Sequence, residues 1–127
     1  KGIKNLLWVW TTQNYNGDSS KYSQDTDWYP GDRYVDIVGR DLYGYTAAQN
    51  LTEYTQVQSA YPTKMVTLAE CGVNGSTAFA NMSAVWNAGA QWSWFMPWYG
   101  GSMPASAWWK DAMGSANVIT RDKVNIQ

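Results

Sequence analysis

Met65-Val66-Thr67-Leu68-Ala69-Glu70-Cys71-Gly72 is the stretch on which the fold turns. Five uncharged residues run straight into a carboxylate, and Cys71-Gly72 starts a turn. The run does not alternate between apolar and polar positions. A strand buried on both faces, as in a parallel sheet, has that pattern. Three other runs share it: Leu6-Leu7-Trp8-Val9-Trp10, Val35-Asp36-Ile37-Val38-Gly39 and Gln91-Trp92-Ser93-Trp94-Phe95-Met96. A spacing of ~30 residues from one run to the next is that of a βα unit.

Between the runs the period changes to that of a helix. Thr46 is placed to cap a helix in which Leu51, Tyr54, Gln58 and Tyr61 recur at three and four, stopped by Pro62. Phe79, Met82, Val85 and Trp86 make a second stripe, ended by Gly89. Pro104 is expected to open a third helix carrying Trp108, Trp109, Ala112 and Met113, ended by Gly114. Thr11 to Arg33 is polar and holds a Pro30-Gly31 turn signal; it reads as a long loop with a helical turn near Trp28-Tyr29. Neither a repeat nor a linker interrupts the pattern, so residues 1–127 read as one unit.

Four βα units are half of a (β/α)8 barrel, which takes ~250 residues. The alternative is a small open parallel sheet. That fold usually carries a Gly-rich phosphate loop after its first strand, and Thr11-Thr12-Gln13-Asn14 is no such loop. Polar and aromatic residues gather just after each strand: Trp10-Thr11-Thr12, Arg40-Asp41-Leu42-Tyr43, Glu70-Cys71 and Pro97-Trp98-Tyr99. Barrel enzymes do their chemistry at that end of the strands. These strand ends favour an α/β chain that is half of a (β/α)8 TIM barrel over the small open sheet.

Composition narrows the chemistry. The 127 residues carry a formal net charge of −1, and 16% are aromatic. Nine Trp and nine Tyr exclude a disordered chain. Near-neutrality argues against a nucleic acid or an anionic membrane as partner. No apolar run approaches the ~20 residues of a membrane-spanning helix. No signal peptide is visible, and Lys1 reads as an N-terminus made by processing or cutting. With no His and one Cys, the chain can build neither a His-based triad, nor a His- or Cys-rich metal site, nor an internal disulfide. Neither metal nor cofactor is expected. Carboxylate chemistry must draw on eight Asp and on Glu53 and Glu70. Trp and Tyr outnumber Phe eighteen to two, and polar-tipped aromatics suit a wet, apolar surface such as a sugar ring.

Asp36-Ile37-Val38-Gly39-Arg40-Asp41-Leu42-Tyr43-Gly44 resembles the sixth strand of family 26 glycoside hydrolases. Lys64 to Gly72 resembles their seventh, Gln91 to Tyr99 their eighth, and Asn5 to Trp10 their fifth. The resemblance implies a retaining, endo-acting β-1,4-mannanase, a minority of the family acting on other β-glucans or xylans. It makes Glu70 the nucleophile and puts Tyr43 beside it, orienting the carboxylate. It implies that Trp98 is the platform under the sugar, with Trp94 as the alternative. Asp41 would bind substrate and Trp10 would line a neighbouring subsite. The family's acid/base glutamate follows a histidine at the end of the fourth strand, so it is not in this chain. The implied partners are β-mannan or a manno-oligosaccharide and the missing N-terminal half of the barrel, with no nucleic acid and no membrane insertion. The implied location is secreted, periplasmic or at the bacterial cell surface.

Other residues read as structural. Cys71 is expected to be a small buried side chain, since a neighbouring carboxylate disfavours its thiolate. Arg40 fits an ion pair at the rim as well as it fits catalysis. Glu53 is expected on a solvent-exposed helix face. Trp8, Trp86, Trp92, Trp108 and Trp109 are assigned to packing. A non-catalytic carbohydrate-binding module is the competing class, but such modules are usually all-β sandwiches with alternating strands.

Overall fold

The computed structural model describes residues 5–13 and 27–124. Four strands, β1 (Val9–Gln13), β2 (Ile37–Tyr43), β3 (Met65–Gly72) and β4 (Phe95–Pro97), form one sheet. All neighbours are parallel and the order is β1-β2-β3-β4. Helices α1 (Ala47–Ala60), α2 (Met82–Asn87) and α3 (Ser106–Gly114) follow β2, β3 and β4. They pack α1 on α2 and α2 on α3, in one layer. A doubly wound sheet reverses strand order at a switch point and carries helices on both faces. Here the order never reverses, as in consecutive units of a barrel.

The core lies between sheet and helices. Val38, Leu42, Val66, Leu68 and Cys71 face Val57 of α1, Val85 of α2 and Trp108 of α3. The Trp108 indole N–H donates to the Ala80 carbonyl at 2.8 Å, and Asp111 of α3 accepts from Ser83 of α2. Trp8, expected in packing, is instead 62% exposed, because it precedes β1 at the open edge of the sheet.

Thr46 caps α1 through a reciprocal capping box with Gln49. The buried face of α1 is Asn50, Glu53 and Val57, while Leu51, Tyr54 and Tyr61 sit at its margin. Glu53 is therefore not exposed: it is 4% accessible and lies 3.4 Å from Arg40 Nε. The cause is β2, whose helix-facing side carries Arg40 between Val38 and Leu42. A buried guanidinium requires a buried carboxylate.

Element ends differ from expectation where pairing extends or shortens them. β1 begins at Val9 and runs over Thr11-Thr12-Gln13, because each residue finds a partner in β2. β4 begins at Phe95, leaving Trp92 buried in the helix layer. The third helix begins at Ser106; Pro104 is buried two residues before it. Of the loop expected over Thr11–Arg33, residues 14–26 lie outside the described residues. Its helical turn falls at Asp32–Tyr34, after Trp28-Tyr29.

Candidate active site

The C-terminal ends of β2, β3 and β4 bring their side chains to one place because of an irregularity in β3. Arg40 pairs with Leu68, but the next residue, Asp41, pairs with Glu70. The other neighbour registers the same slip: β3 advances three residues from Leu68 to Cys71 while β4 advances two from Phe95 to Pro97. Ala69 is the extra residue of a β-bulge. Regular alternation would put Glu70 on the face of Leu68, under the helices. The bulge carries both Ala69 and Glu70 to the opposite face. Bulges that re-aim a side chain recur next to active sites.

On that face Glu70 meets Tyr43. The phenol donates to Glu70 Oε2 at 2.7 Å. Burial, and then the bond to Glu70 and its charge, push the Tyr43 phenol well above its ordinary value, so it keeps its proton. Asp41 lies on the same face, paired with Glu70, 9% accessible, and it accepts from Thr11 Oγ1 at 3.2 Å. Its carboxyl is pushed up to about 6, first by burial and then by the charge of Glu70. The Thr11 hydroxyl, the Arg40 charge and the Glu70 backbone oppose that rise. Two carboxylates and a phenol thus converge, with one carboxyl easily protonated and the other held by a donor. Among the described residues no third His, Cys, Asp or Glu joins the carboxylates to make a metal-holding group.

Trp98 follows β4 one strand over from Glu70. Its backbone N–H donates to the Cys71 carbonyl at 2.7 Å. The ring is 38% exposed and lies 5.0 Å from that of Tyr99, tilted by 34°. Trp94 stands elsewhere. Its carbonyl accepts from Leu68 N–H and Thr67 Oγ1, two to three residues before Glu70, or about 7–10 Å back along the strand. Its side chain lines a cavity of about 410 Å³ with Trp86, Trp92, Met113 and Ile119. Trp10 pairs with Val38 on the helix-facing side and packs edge-to-face on Tyr29 and Tyr61. The structure brings together Glu70, Tyr43 and Asp41, sets Trp98 just past the end of the next strand, and leaves Trp10 and Trp94 away from the group.

Arg40 also lies behind the sheet, between Glu53 and Thr12, to whose Oγ1 it donates. Cys71 is fully buried among the core residues, and burial pushes its thiol far up. Sequence reading placed Thr11 at a strand end without a role, and gave none to Gly39. A glycine inside an apolar strand was the available signal, since it marks a close approach. A methyl on Gly39 would stand 2.6 Å from Thr11 Oγ1 and 2.7 Å from Ala69 Cβ.

The model of glycosyl hydrolase family 26 matches residues 1–124. A mannan endo-1,4-beta-mannosidase from Thermothelomyces thermophilus is 32% identical over 124 residues. That match takes 97% of this chain and 22% of the relative. The crystal structure of the family 26 domain of the Prevotella bryantii endo-beta-mannanase/endo-beta-glucanase is 61% identical, with a TM-score of 0.88. The match covers 96% of this chain and 36% of that one. The two-domain structure of the same Prevotella enzyme gives 61% identity and a TM-score of 0.90, over 98% of this chain and 18% of that one. The chain thus spans about a third of the length of the solved domain and about a fifth of the curated mannosidase.

Proposed function

The chain belongs to glycosyl hydrolase family 26, a family of TIM-barrel enzymes, and on that premise we propose that it carries the nucleophile of a retaining, endo-acting β-1,4-mannanase whose barrel is completed by four preceding βα units. The observation that carries this reading is the Glu70 carboxylate at a strand end, held by the Tyr43 phenol at 2.7 Å. A carboxylate so placed attacks the anomeric carbon and displaces the leaving alcohol, forming a glycosyl ester. A second carboxyl, ~5–5.5 Å away, first protonates the leaving oxygen and then takes a proton from the water that hydrolyses the ester. That second group comes from the preceding half. Tyr43, which stays protonated, fixes the attacking oxygen. Asp41 accepts from a substrate hydroxyl, and Trp98 offers an exposed ring for the sugar to stack on.

Without the general acid, and with both sheet edges uncovered among the described residues, the 127-residue chain alone is inactive in this reading. In this reading the enzyme meets its polymeric substrate outside the cytoplasm, secreted, periplasmic or at the cell surface. The parallel α/β sheet is not the sandwich of common carbohydrate-binding modules. A second substrate class, β-glucan, has one specific support: the Prevotella relative is named both an endo-beta-mannanase and an endo-beta-glucanase.

The test uses the full-length protein on β-mannan, mixed-linked β-glucan and xylan. Turnover should be highest on mannan, and NMR should show the β-anomer first. Glu70→Ala should lower activity by several orders of magnitude while sugar binding survives. Azide should restore turnover of an activated mannoside in Glu70→Ala, because a small anion fills the vacated space. An α-anomer appearing first, or near-normal turnover by Glu70→Ala, sinks the assignment.

A further inference from the structure

We propose that Thr11, on β1, is a positioning residue that keeps Asp41 ionised and oriented on the face it shares with Glu70; this rests on the reading of Asp41 as a substrate-facing carboxylate given above. Thr11 pairs with Gly39 across the β1–β2 ladder, two residues before Asp41. Its Oγ1 lies 3.2 Å from Asp41 Oδ1. The hydroxyl is the donor, since an ionised carboxylate can only accept. Thr11 and Ala69 flank Gly39 from the two neighbouring strands, so closely that a methyl on Gly39 would meet both. Thr11 is itself exposed on the edge strand, and its β-branched side chain limits its χ1 freedom. The bulge thus does two things. It turns Glu70 to the face opposite the helices, and it sets Ala69 across Gly39 from the Thr11 hydroxyl.

Asp41 needs such a donor because its surroundings favour the neutral form. It is buried, and Glu70 faces it from β3. Tyr43 on its own strand holds its proton and brings no charge. Arg40 favours ionisation, but its guanidinium lies behind the sheet with Glu53. The other described residues of β1 (Val9, Trp10, Thr12 and Gln13) and the residues of β4 (Phe95, Met96 and Pro97) carry no titratable group. The Thr11 hydrogen bond is the first force opposing the upward shift. Without it the carboxyl holds its proton to a higher pH, and the substrate hydroxyl loses its acceptor.

The experiment compares the full-length protein with Thr11→Val and Thr11→Ser. Val keeps the branched shape and removes the hydroxyl; Ser keeps the hydroxyl. The readouts are kcat/KM against pH on a β-1,4-manno-oligosaccharide, and the titration of the Asp41 carboxyl carbon by NMR. Thr11→Val should move the acid limb and the Asp41 titration up by about half to one pH unit, the range for a typical net hydrogen bond, because at 3.2 Å this bond is long for an O–H donor. At pH 5 its kcat/KM should be roughly three- to tenfold below that of the parent, converging above pH 7. Thr11→Ser should follow the parent. An unmoved Asp41 titration in Thr11→Val overturns the proposal, and so does an equal loss in both variants at every pH, which is packing alone. The NMR titration decides the role of Thr11 even if Glu70→Ala retains activity, an outcome that would instead refute the nucleophile.

Discussion

Tyr43→Phe isolates one atom of the proposed machinery. The ring packs against Gly72, where an added methyl would stand 3.3 Å from Tyr43 Cδ1, and Phe keeps that contact. What is lost is the 2.7 Å bond to Glu70 Oε2. A hydrogen bond to a charged acceptor contributes about 1.5–3 kcal/mol. At about 1.4 kcal/mol per decade this is roughly a ten- to 150-fold loss of rate. Tyr43 is half-buried, so solvent screening draws the value towards the lower end. The assay is hydrolysis of a β-1,4-manno-oligosaccharide by the full-length protein, with kcat and KM separated. The loss should fall on kcat, because the phenol orients the attacking carboxylate and is not asked to bind sugar. The upward-shifted phenol stays protonated at working pH, so the loss should be flat from pH 5 to 8. In a Glu70→Ala background, assayed with azide, the same change should do little, since no carboxylate remains to orient. A loss under twofold, or one that adds in full to Glu70→Ala, refutes the reasoning.

Three further outcomes follow from the packing and charge. Gly39→Ala drives a methyl against Thr11 and Ala69, and overpacking of that kind should cost about 1–3 kcal/mol of stability; an unchanged urea midpoint would show that the layer gives way freely. Glu53→Ala takes the carboxylate from beside the buried Arg40 guanidinium and should cost about 3–5 kcal/mol, while activity per folded molecule is kept; a loss of activity with no loss of stability would place this pair in the chemistry. Asp41 gives a sign for pH. The folded protein holds its proton up to about 6, while the unfolded chain releases it near 3.8, so the folded state binds more protons between those values and stability falls as pH rises through them. Asp41→Asn should remove that slope, and equal slopes in urea titrations from pH 4 to 7 would contradict it.

The elements that depend on nearby residues were legible before any coordinates. Unbroken apolar runs show as parallel strands and Thr46 shows as a cap, while β3 runs on through Cys71-Gly72, expected as a turn, and leaves Glu70 two residues before its end. Glu70, Tyr43 and Asp41 could be named as neighbours because adjacent parallel strands put their ends side by side. The tertiary structure alone decided which way those side chains point. Ala69 has nothing in its own sequence neighbourhood to mark it as a bulge, yet without the slip at Ala69 Glu70 would share the face of Leu68. Trp10 looked like a cleft residue, and its pairing with Val38 turns it towards the helices. Arg40 looked like a rim charge, and its place between Val38 and Leu42 on β2 puts it behind the sheet beside Glu53. A strand's apolar character is set by its own residues. Its facing is set by register against a partner some thirty residues away, and a one-residue slip exchanges the two faces.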